Sequence, residues 1–240
     1  FSTRIGGVSP KPYDTLNFSR KREQSEENYK QNMKRFARAV GFDDQKAVGI
    51  NYAHSASVYH VSAKDAGCGI YGKPLPKACD GLYTDEAGIP ILSFHADCVP
   101  LFFYDPIRRA AAVCHAGWRG VAGHMAKNAI EALAGMGCRK NDILAAIGPC
   151  ISAAHYEVGE EVRDIFVREY GHDVIDMLGQ SIHLDLNRAC AMDMRLAGLK
   201  PENIVDASLC TYQNEKLFYS HRRDRGKTGA MAAVILLKDK

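Results

Sequence analysis

The sequence lacks both long apolar runs and a strong excess of one charge. Its most continuous apolar stretch, Met231–Leu237, has seven residues, far short of the ~20 that a bilayer-spanning helix needs. The 31 Lys and Arg are nearly balanced by 28 Asp and Glu, which leaves a net charge of +3 on 240 residues. So weak a charge disfavours a surface that follows nucleic-acid phosphates. We therefore expect a folded protein that binds neither membranes nor nucleic acids.

Paired cysteines are also absent. No Cys-x-x-Cys motif occurs among the eight cysteines of the 240-residue chain, and their share is well below the ~8–10% typical of disulfide scaffolds. Cys98, Cys114 and Cys210 stand in apolar runs, as buried thiols do in a reducing compartment. No signal peptide is evident. The sequence thus predicts a cytoplasmic protein.

The spacing of apolar residues predicts several helices and short strands. One helix is expected over Glu26–Val40, with Ser25 as its N-cap and Gly41 as its stop. Further predicted helices are Val121–Leu133, Val158–Tyr170 and Asn187–Leu196, the last with Asp185 near its N-cap. Predicted strands are Ser57–Val61, Ile89–Phe94, Val99–Tyr104, Ala110–Cys114, Ile143–Ile147, Ile204–Ala207, Leu217–Ser220 and Met231–Leu237. This irregular order predicts a single mixed α/β (α+β) domain over residues 1–240.

The most informative pattern is a predicted hairpin around the tetrapeptide DPIR at 105–108. Asp and Pro favour the first two positions of a β-turn, and an apolar run lies on each side. Antiparallel pairing around this turn sets Tyr104 opposite Arg109 and Cys98 opposite His115. Directly opposed Cβ atoms lie about 4.5–5.5 Å apart. One metal ion could then bind both side chains, and a thiolate with an imidazole suits zinc or copper.

The same pair of residues permits other interpretations. Cys98 could be a nucleophile with His115 as its base, or simply a buried thiol in an apolar strand. A structural zinc would need a fourth protein ligand. His95, three residues before Cys98, is the only local candidate for that ligand.

Two segments could bind an anion. Gly117–Gly120, ahead of the helix predicted to start near Val121, offers backbone N–H groups and the Arg119 side chain. The segment SHRRDRG at 220–226 places three Arg within four residues, which favours phosphate binding over a merely charged loop. The motifs HExxH and His-x-His do not occur, and paired His-x-His motifs are typical of multicopper oxidases.

Several motifs, in a fixed order along nearly the whole chain, resemble one known family. They are STRIGGVS (2–9), ADCVPL (96–101), CHAGWRG (114–120), IGPCIS (147–152) and FYSHRRDRG (218–226). Asp80-Gly81 and YEVG at 156–159 belong to the same set. This combination resembles the laccase-domain, or polyphenol oxidase-like, family of zinc-dependent purine nucleoside phosphorylases.

The resemblance implies a function and a metal site. It implies phosphorolysis of adenosine, inosine and guanosine, together with methylthioadenosine phosphorolysis and adenosine deamination. It also implies zinc, with copper as the alternative, bound by His54, Cys98 and His115. His54 enters only through the resemblance. The implied fold is a compact layered α/β domain, distantly like a toxin deamidase that has a Cys–His pair. The alternatives are a copper-dependent polyphenol oxidase and a non-catalytic zinc-binding partner protein.

Four further residues receive roles in this hypothesis. Arg4, Arg119 and Arg222 are the phosphate candidates, because held phosphate needs guanidinium groups near the anomeric carbon. Asp97 is either an acid–base or supporting group beside the metal, or a residue that orients a backbone turn.

The sequence departs from the family pattern in three places. Around the first ligand, Tyr52 and Ser55 stand where Gln and Gly are usual; His95 stands where a Thr is usual, and Ala230 where an Arg is usual. The three implied metal ligands are retained. We therefore expect these departures to affect substrate preference more than metal binding.

Overall fold

The computed structural model describes residues 1–22 and 25–238. Its helices are α1 (Glu26–Val40), α2 (Trp118–Ala122), α3 (Met125–Gly135), α4 (Glu160–Tyr170) and α5 (Leu186–Leu196). Its strands are β1 (Val48–Gly49), β2 (Val58–His60), β3 (Gly81–Thr84), β4 (Ile91–His95), β5 (Val99–Asp105), β6 (Ala110–Ala116), β7 (Leu144–Ile147), β8 (Ile175–Leu178), β9 (Ser181–Leu184), β10 (Ile204–Asp206) and β11 (Met231–Ile235). No helix in the described part of the chain combines the length and apolarity needed to cross a membrane.

Helix α1 forms as the sequence predicts. The Ser25 hydroxyl accepts a hydrogen bond from the backbone N–H of Asn28 at 3.3 Å and so caps the first turn. Gly41 ends the helix in the left-handed region, at φ 84°, where glycine has no Cβ to clash. Met33 and Phe36 belong to its buried face. Local signals alone therefore define this helix.

The strands of the described residues form three sheets. The largest is six-stranded and mixed, in the order β10-β7-β5-β6-β3-β2. A three-stranded sheet has the order β1-β4-β11, and β8 and β9 form a separate hairpin. The pairs β1–β4, β2–β3 and β7–β10 are parallel, whereas β5 runs antiparallel to both of its neighbours. The mixture of pairings explains why the sequence shows no regular βαβ alternation.

These elements pack as four layers, with helices outside and two sheets inside. Ala112 and Cys114 of β6 pack into the cluster formed with α3, α4 and α5. Val113, on the opposite face of β6, packs against the three-stranded sheet, because successive strand residues point to opposite faces. Met33 and Phe36 of α1 cover the outer face of that smaller sheet. The predicted layered mixed α/β domain is confirmed.

The β5–β6 hairpin forms, but its predicted register is wrong. Asp105 pairs with Ala110 and Pro100 with His115, so the turn lies one residue later than expected. The Asp105 carboxylate explains the shift, since its Oδ1 accepts hydrogen bonds from the N–H groups of Ile107 and Arg108. In this register Cys98 precedes the first pair of the ladder. The offset changes by two residues, which leaves every side chain on its predicted face.

Two other predicted elements are wrong. The helix expected over Val121–Leu133 is two helices, broken between α2 and α3, where His124 takes a left-handed φ of 60°. Leu217–Ser220 forms no strand. Consecutive residues Phe218 and Tyr219 are both buried there, whereas a half-buried strand would alternate. Strands β1 and β3 and the β8–β9 hairpin are not predicted from the sequence, because they are short and have no strong periodicity.

Candidate active site

A cavity of about 350 Å³ opens where the β5–β6 hairpin ends. Its wall includes eight residues with ionisable side chains: His54, Asp80, Asp97, Cys98, His115, Arg119, Tyr156 and His221. They come from six separate segments of the chain. Tertiary folding therefore assembles this site, although most of its members lie in motifs that the sequence displays.

Cys98 and His115 face the same space beside Gly117. A Cβ atom on Gly117 would lie 3.2 Å from the Cys98 Sγ and 4.0 Å from the His115 Cε1. Glycine at this position keeps the space between thiol and imidazole clear. The predicted pairing of these two residues is thus diagonal rather than direct, yet both still reach one cavity.

Burial shifts the pKa values of His115 and Cys98 in opposite directions, and both shifts favour the neutral form. It lowers the pKa of His115 to about 4, which Asp80 nearby partly opposes. It raises the pKa of the Cys98 thiol to about 12, and the carboxylates of Asp97 and Asp80 add to that rise. His115 is therefore a neutral imidazole near pH 7, the form that binds metals. A thiol with so high a pKa is a poor nucleophile, which disfavours the Cys98-nucleophile interpretation.

Asp80 connects the two histidines of the site. Its Oδ2 accepts hydrogen bonds from the N–H groups of Ala53 and Ser55, at 3.2 and 2.7 Å, and from the Ser55 hydroxyl at 3.1 Å. Between them His54 takes a left-handed φ of 53°, which is strained for a residue with a Cβ. The Asp80 carbonyl accepts from the His115 N–H at 2.7 Å. One residue thus fixes the backbone at both predicted ligands.

The second oxygen of Asp80 is unpaired. Asp80 Oδ1 is buried without a hydrogen-bond partner within the described structure, and it lies 3.9 Å from the His115 Nδ1. A carboxylate beside a ring nitrogen is the usual support for a metal-binding histidine. The donor chemistry of this corner therefore fits a zinc-type ion.

His54 is the exposed member of the predicted ligand set. Among residues 1–22 and 25–238, no three His, Cys, Asp or Glu side chains stand close enough together to hold a metal ion. The structure accordingly brings His54, Cys98 and His115 to one cavity without converging them on a point.

His95 is fully engaged by the protein. Its Nδ1 lies 3.1 Å from the Cys98 carbonyl oxygen, which can only accept, so Nδ1 carries the proton. Its Nε2 lies 2.7 Å from the Ser93 hydroxyl and therefore accepts from it. No ring nitrogen is left for a metal. His95 instead holds the backbone of Cys98 and contacts the ring of His115, with centroids 5.2 Å apart.

Asp97 is an anchor for two loops. Its Oδ1 accepts from the Thr211 hydroxyl at 2.7 Å. Its Oδ2 accepts from the Ser220 hydroxyl at 3.0 Å and from the Arg222 N–H at 2.7 Å. A carboxylate with three such donors is poorly placed to exchange a proton. Of the two roles predicted for Asp97, orientation of the backbone is therefore the one that its contacts favour.

The three candidate arginines lie in different surroundings. Arg119 is exposed, lines the cavity and lies over the Trp118 ring at 4.2 Å. The Arg222 guanidinium lies 5.0 Å from the centre of the Tyr156 ring, which is part of the cavity wall. Arg4 lines a separate cavity and donates to the backbone carbonyl of Asp14 at 2.9 Å. The structure thus brings Arg119 into the site, sets Arg222 behind its wall and leaves Arg4 outside.

Three residues of the wall received no role from the sequence: Asp80, Tyr156 and His221. Each lies in a motif quoted above, so a signal existed, but spacing alone could not tell which way these side chains point. Burial raises the pKa of Tyr156 to about 12, which keeps its hydroxyl protonated.

Comparison with known proteins gives one consistent set of relatives. A sequence model of the family described as multi-copper polyphenol oxidoreductase laccase matches residues 1–238. A Bacillus subtilis protein named purine nucleoside phosphorylase YlmD is 36% identical over 249 residues, which span the whole of this chain and 88% of that one.

Two solved structures have the same fold as this chain. The Bacillus licheniformis hypothetical protein YfiH aligns at a TM-score of 0.93 with 33% identity, covering 98% of this chain and 91% of its own. YlmD from Geobacillus stearothermophilus aligns at a TM-score of 0.92 with 32% identity, covering 99% and 90%. The likeness extends over nearly the full length of each chain.

Proposed function

The chain belongs to the family described as multi-copper polyphenol oxidoreductase laccase, and we propose that within it the protein acts as a purine nucleoside phosphorylase. The name of its Bacillus subtilis relative supports this activity. The observation that carries the proposal is the single cavity shared by Cys98, His115, His54 and Arg119. Its volume of about 350 Å³ lies within the ~300–1,000 Å³ typical of small-molecule sites.

Zinc is the proposed cofactor, with copper as the alternative, and His54, Cys98 and His115 would hold it. A thiolate and two neutral imidazoles suit either metal. When bound, a zinc with three protein ligands supplies a Lewis acid and an open position for a water or substrate atom. Asp80 would support the His115 ring through its unpaired oxygen.

Phosphate would be held by the protein's cations. Arg119 offers a guanidinium at the cavity wall, and guanidinium groups match phosphate oxygens in a bidentate manner. Arg222 stands nearby, behind Tyr156. Trp118 and Tyr156 add aromatic surface to the wall, suited to a purine or a ribose face. Such a wall would orient the nucleoside with its anomeric carbon toward the bound phosphate.

The substrate range follows from the family resemblance. We propose inosine, adenosine and guanosine as nucleosides, with methylthioadenosine phosphorolysis and adenosine deamination as further activities of the same site. A copper-dependent polyphenol oxidase is the alternative, but the sequence has no two histidines separated by one residue. A cytoplasmic location fits the eight free cysteines, six of which are buried.

The decisive experiment supplies zinc-loaded protein with inosine and phosphate. We expect hypoxanthine and ribose 1-phosphate to appear in equal amounts, and Cys98→Ala to abolish both. Cys68→Ala is the matched control, because Cys68 is the other partly exposed cysteine of the chain and lies outside the cavity. Absence of both products, or their undiminished release by Cys98→Ala, would exclude the proposed function.

A further inference from the structure

We propose that His221 is the catalytic acid that protonates the purine as it leaves the ribose, an inference that rests on the proposed phosphorolysis. A purine departs from C1′ with the bonding electron pair, so a proton delivered to its N7 makes it a better leaving group. Imidazole is the side chain that most often delivers such protons near neutral pH. His221 carries one at the wall of the cavity.

The backbone at His221 is held from both sides. The residues that flank it, Ser220 and Arg222, both donate hydrogen bonds to Asp97 Oδ2, at 3.0 and 2.7 Å. The Gly226 N–H donates to the His221 carbonyl at 2.9 Å. These contacts fix where the side chain leaves the loop. Positioning of this kind is what efficient proton transfer requires.

One edge of the His221 ring faces its own loop. A Cβ on Gly226 would lie 3.4 Å from the His221 Cε1 and 3.8 Å from its Nε2, so glycine at 226 leaves room for the ring. No hydrogen bond within residues 1–22 and 25–238 engages either ring nitrogen. The imidazole is therefore free to donate a hydrogen bond to a ligand in the cavity.

The carboxylates and the other histidines of the wall already have contacts or proposed roles. Asp97 accepts three hydrogen bonds, and Asp80 is directed at the His54 loop and at His115. His54 and His115 are the proposed metal ligands. Burial raises the pKa of Tyr156 to about 12, so its hydroxyl is a weak acid. His221 is the remaining residue of the wall that has no hydrogen bond to its ring nitrogens among the described residues and no proposed metal role.

The proposed step balances as follows. An oxygen of hydrogen phosphate forms a bond to C1′ while the C1′–N9 bond breaks and its electron pair passes to the purine. The imidazolium of His221 gives its proton to N7, which yields the neutral base. Ribose 1-phosphate then releases the proton that came with hydrogen phosphate, and His221 regains one. The net reaction consumes only nucleoside and phosphate.

A leaving group that needs no proton tests this assignment. N7-methylguanosine already carries a positive charge on its base, so it departs without an acid. The measurement is kcat/KM for guanosine and for N7-methylguanosine in wild type, His221→Gln and His221→Asn. For guanosine we expect a loss of about 10²–10⁴-fold in both variants. For N7-methylguanosine we expect less than about a tenfold loss, so the ratio between the two substrates rises at least about tenfold.

The controls separate this inference from the function on which it rests. His172→Gln removes another exposed histidine, outside the cavity, and is expected to leave both values unchanged. A ratio of the two kcat/KM values that does not rise, including variants that cleave neither substrate, would overturn the role of His221. Failure of wild type to release hypoxanthine from inosine would instead overturn the proposed function itself.

Discussion

At the residue scale, three histidines near the cavity lie in three different environments. His95 has both ring nitrogens bonded to neighbours, and burial lowers its pKa well below the ordinary value. His115 is buried beside Asp80, whereas His54 is exposed on a strained loop. The sequence predicts Cys98 and His115 from a hairpin, and His54 only from family resemblance. The role of Asp80 could not be predicted, because its partners lie about 25 residues or more away.

One prediction concerns Asp80. Asp80→Asn retains the size of the side chain but removes the negative charge beside His115. We expect zinc affinity to fall about 10–100-fold, as is usual when support for a metal-binding histidine is lost. Competition with a chromogenic chelator measures it. Asp85→Asn is the control, since Asp85 contacts only the exposed His60 among the described partners. Equal affinity in wild type and Asp80→Asn would show that the carboxylate does not support the metal site.

At the element scale, the β5–β6 hairpin shows how local chemistry sets a functional register. Its two strands and the existence of the turn follow from sequence patterns. The exact register does not follow from them, because two turns of equal length are compatible with the sequence pattern. The Asp105 carboxylate stabilises one of them by accepting hydrogen bonds from the N–H groups of Ile107 and Arg108. The even shift preserved the face of each side chain. That is why Cys98 and His115 still line one cavity although the predicted pairing was wrong.

A second prediction tests the close packing of β3. A Cβ on Gly81 would lie 2.7 Å from Val58 Cγ1 and 2.8 Å from Cys114 Sγ, so Gly81→Ala should lower the free energy of unfolding by about 1–3 kcal/mol. Gly135→Ala, at the end of α3, meets no atom within 4 Å and should raise it by about 0.5–1 kcal/mol. Urea unfolding measures both. Similar effects of the two substitutions would contradict the crowding at Gly81.

At the scale of the whole molecule, the cavity lies where several layers meet. The hairpin brings Cys98 and His115, the loop after β1 brings His54, and the loop before β11 brings His221. Buried titratable groups at this junction link the site to global stability. A histidine whose pKa is lower in the folded state takes up its proton first in the unfolded chain, so acid favours unfolding.

A third prediction follows for the metal-free protein. Its free energy of unfolding should fall as the pH drops from about 6.5 to about 4, the interval between the ordinary histidine pKa and the pKa of His115. His115→Gln removes that group. Between pH of about 7.5 and 4.5 it should lose about 2 kcal/mol less than wild type. Urea titrations at several pH values measure this difference. Parallel losses in the two proteins would mean that His115 titrates normally.

The sequence by itself determined the mixed α/β class, helix α1 with both of its ends, most strands and the family, because these depend on local periodicity, capping and ordered motifs. Tertiary structure alone decided the hairpin register, the break between α2 and α3, and which charged residues face the cavity. Arg4 and Arg119 illustrate the difference, since both are arginines in family motifs and only one lines the site. The direction of a side chain depends on contacts between segments distant in the chain, and no local pattern encodes those contacts.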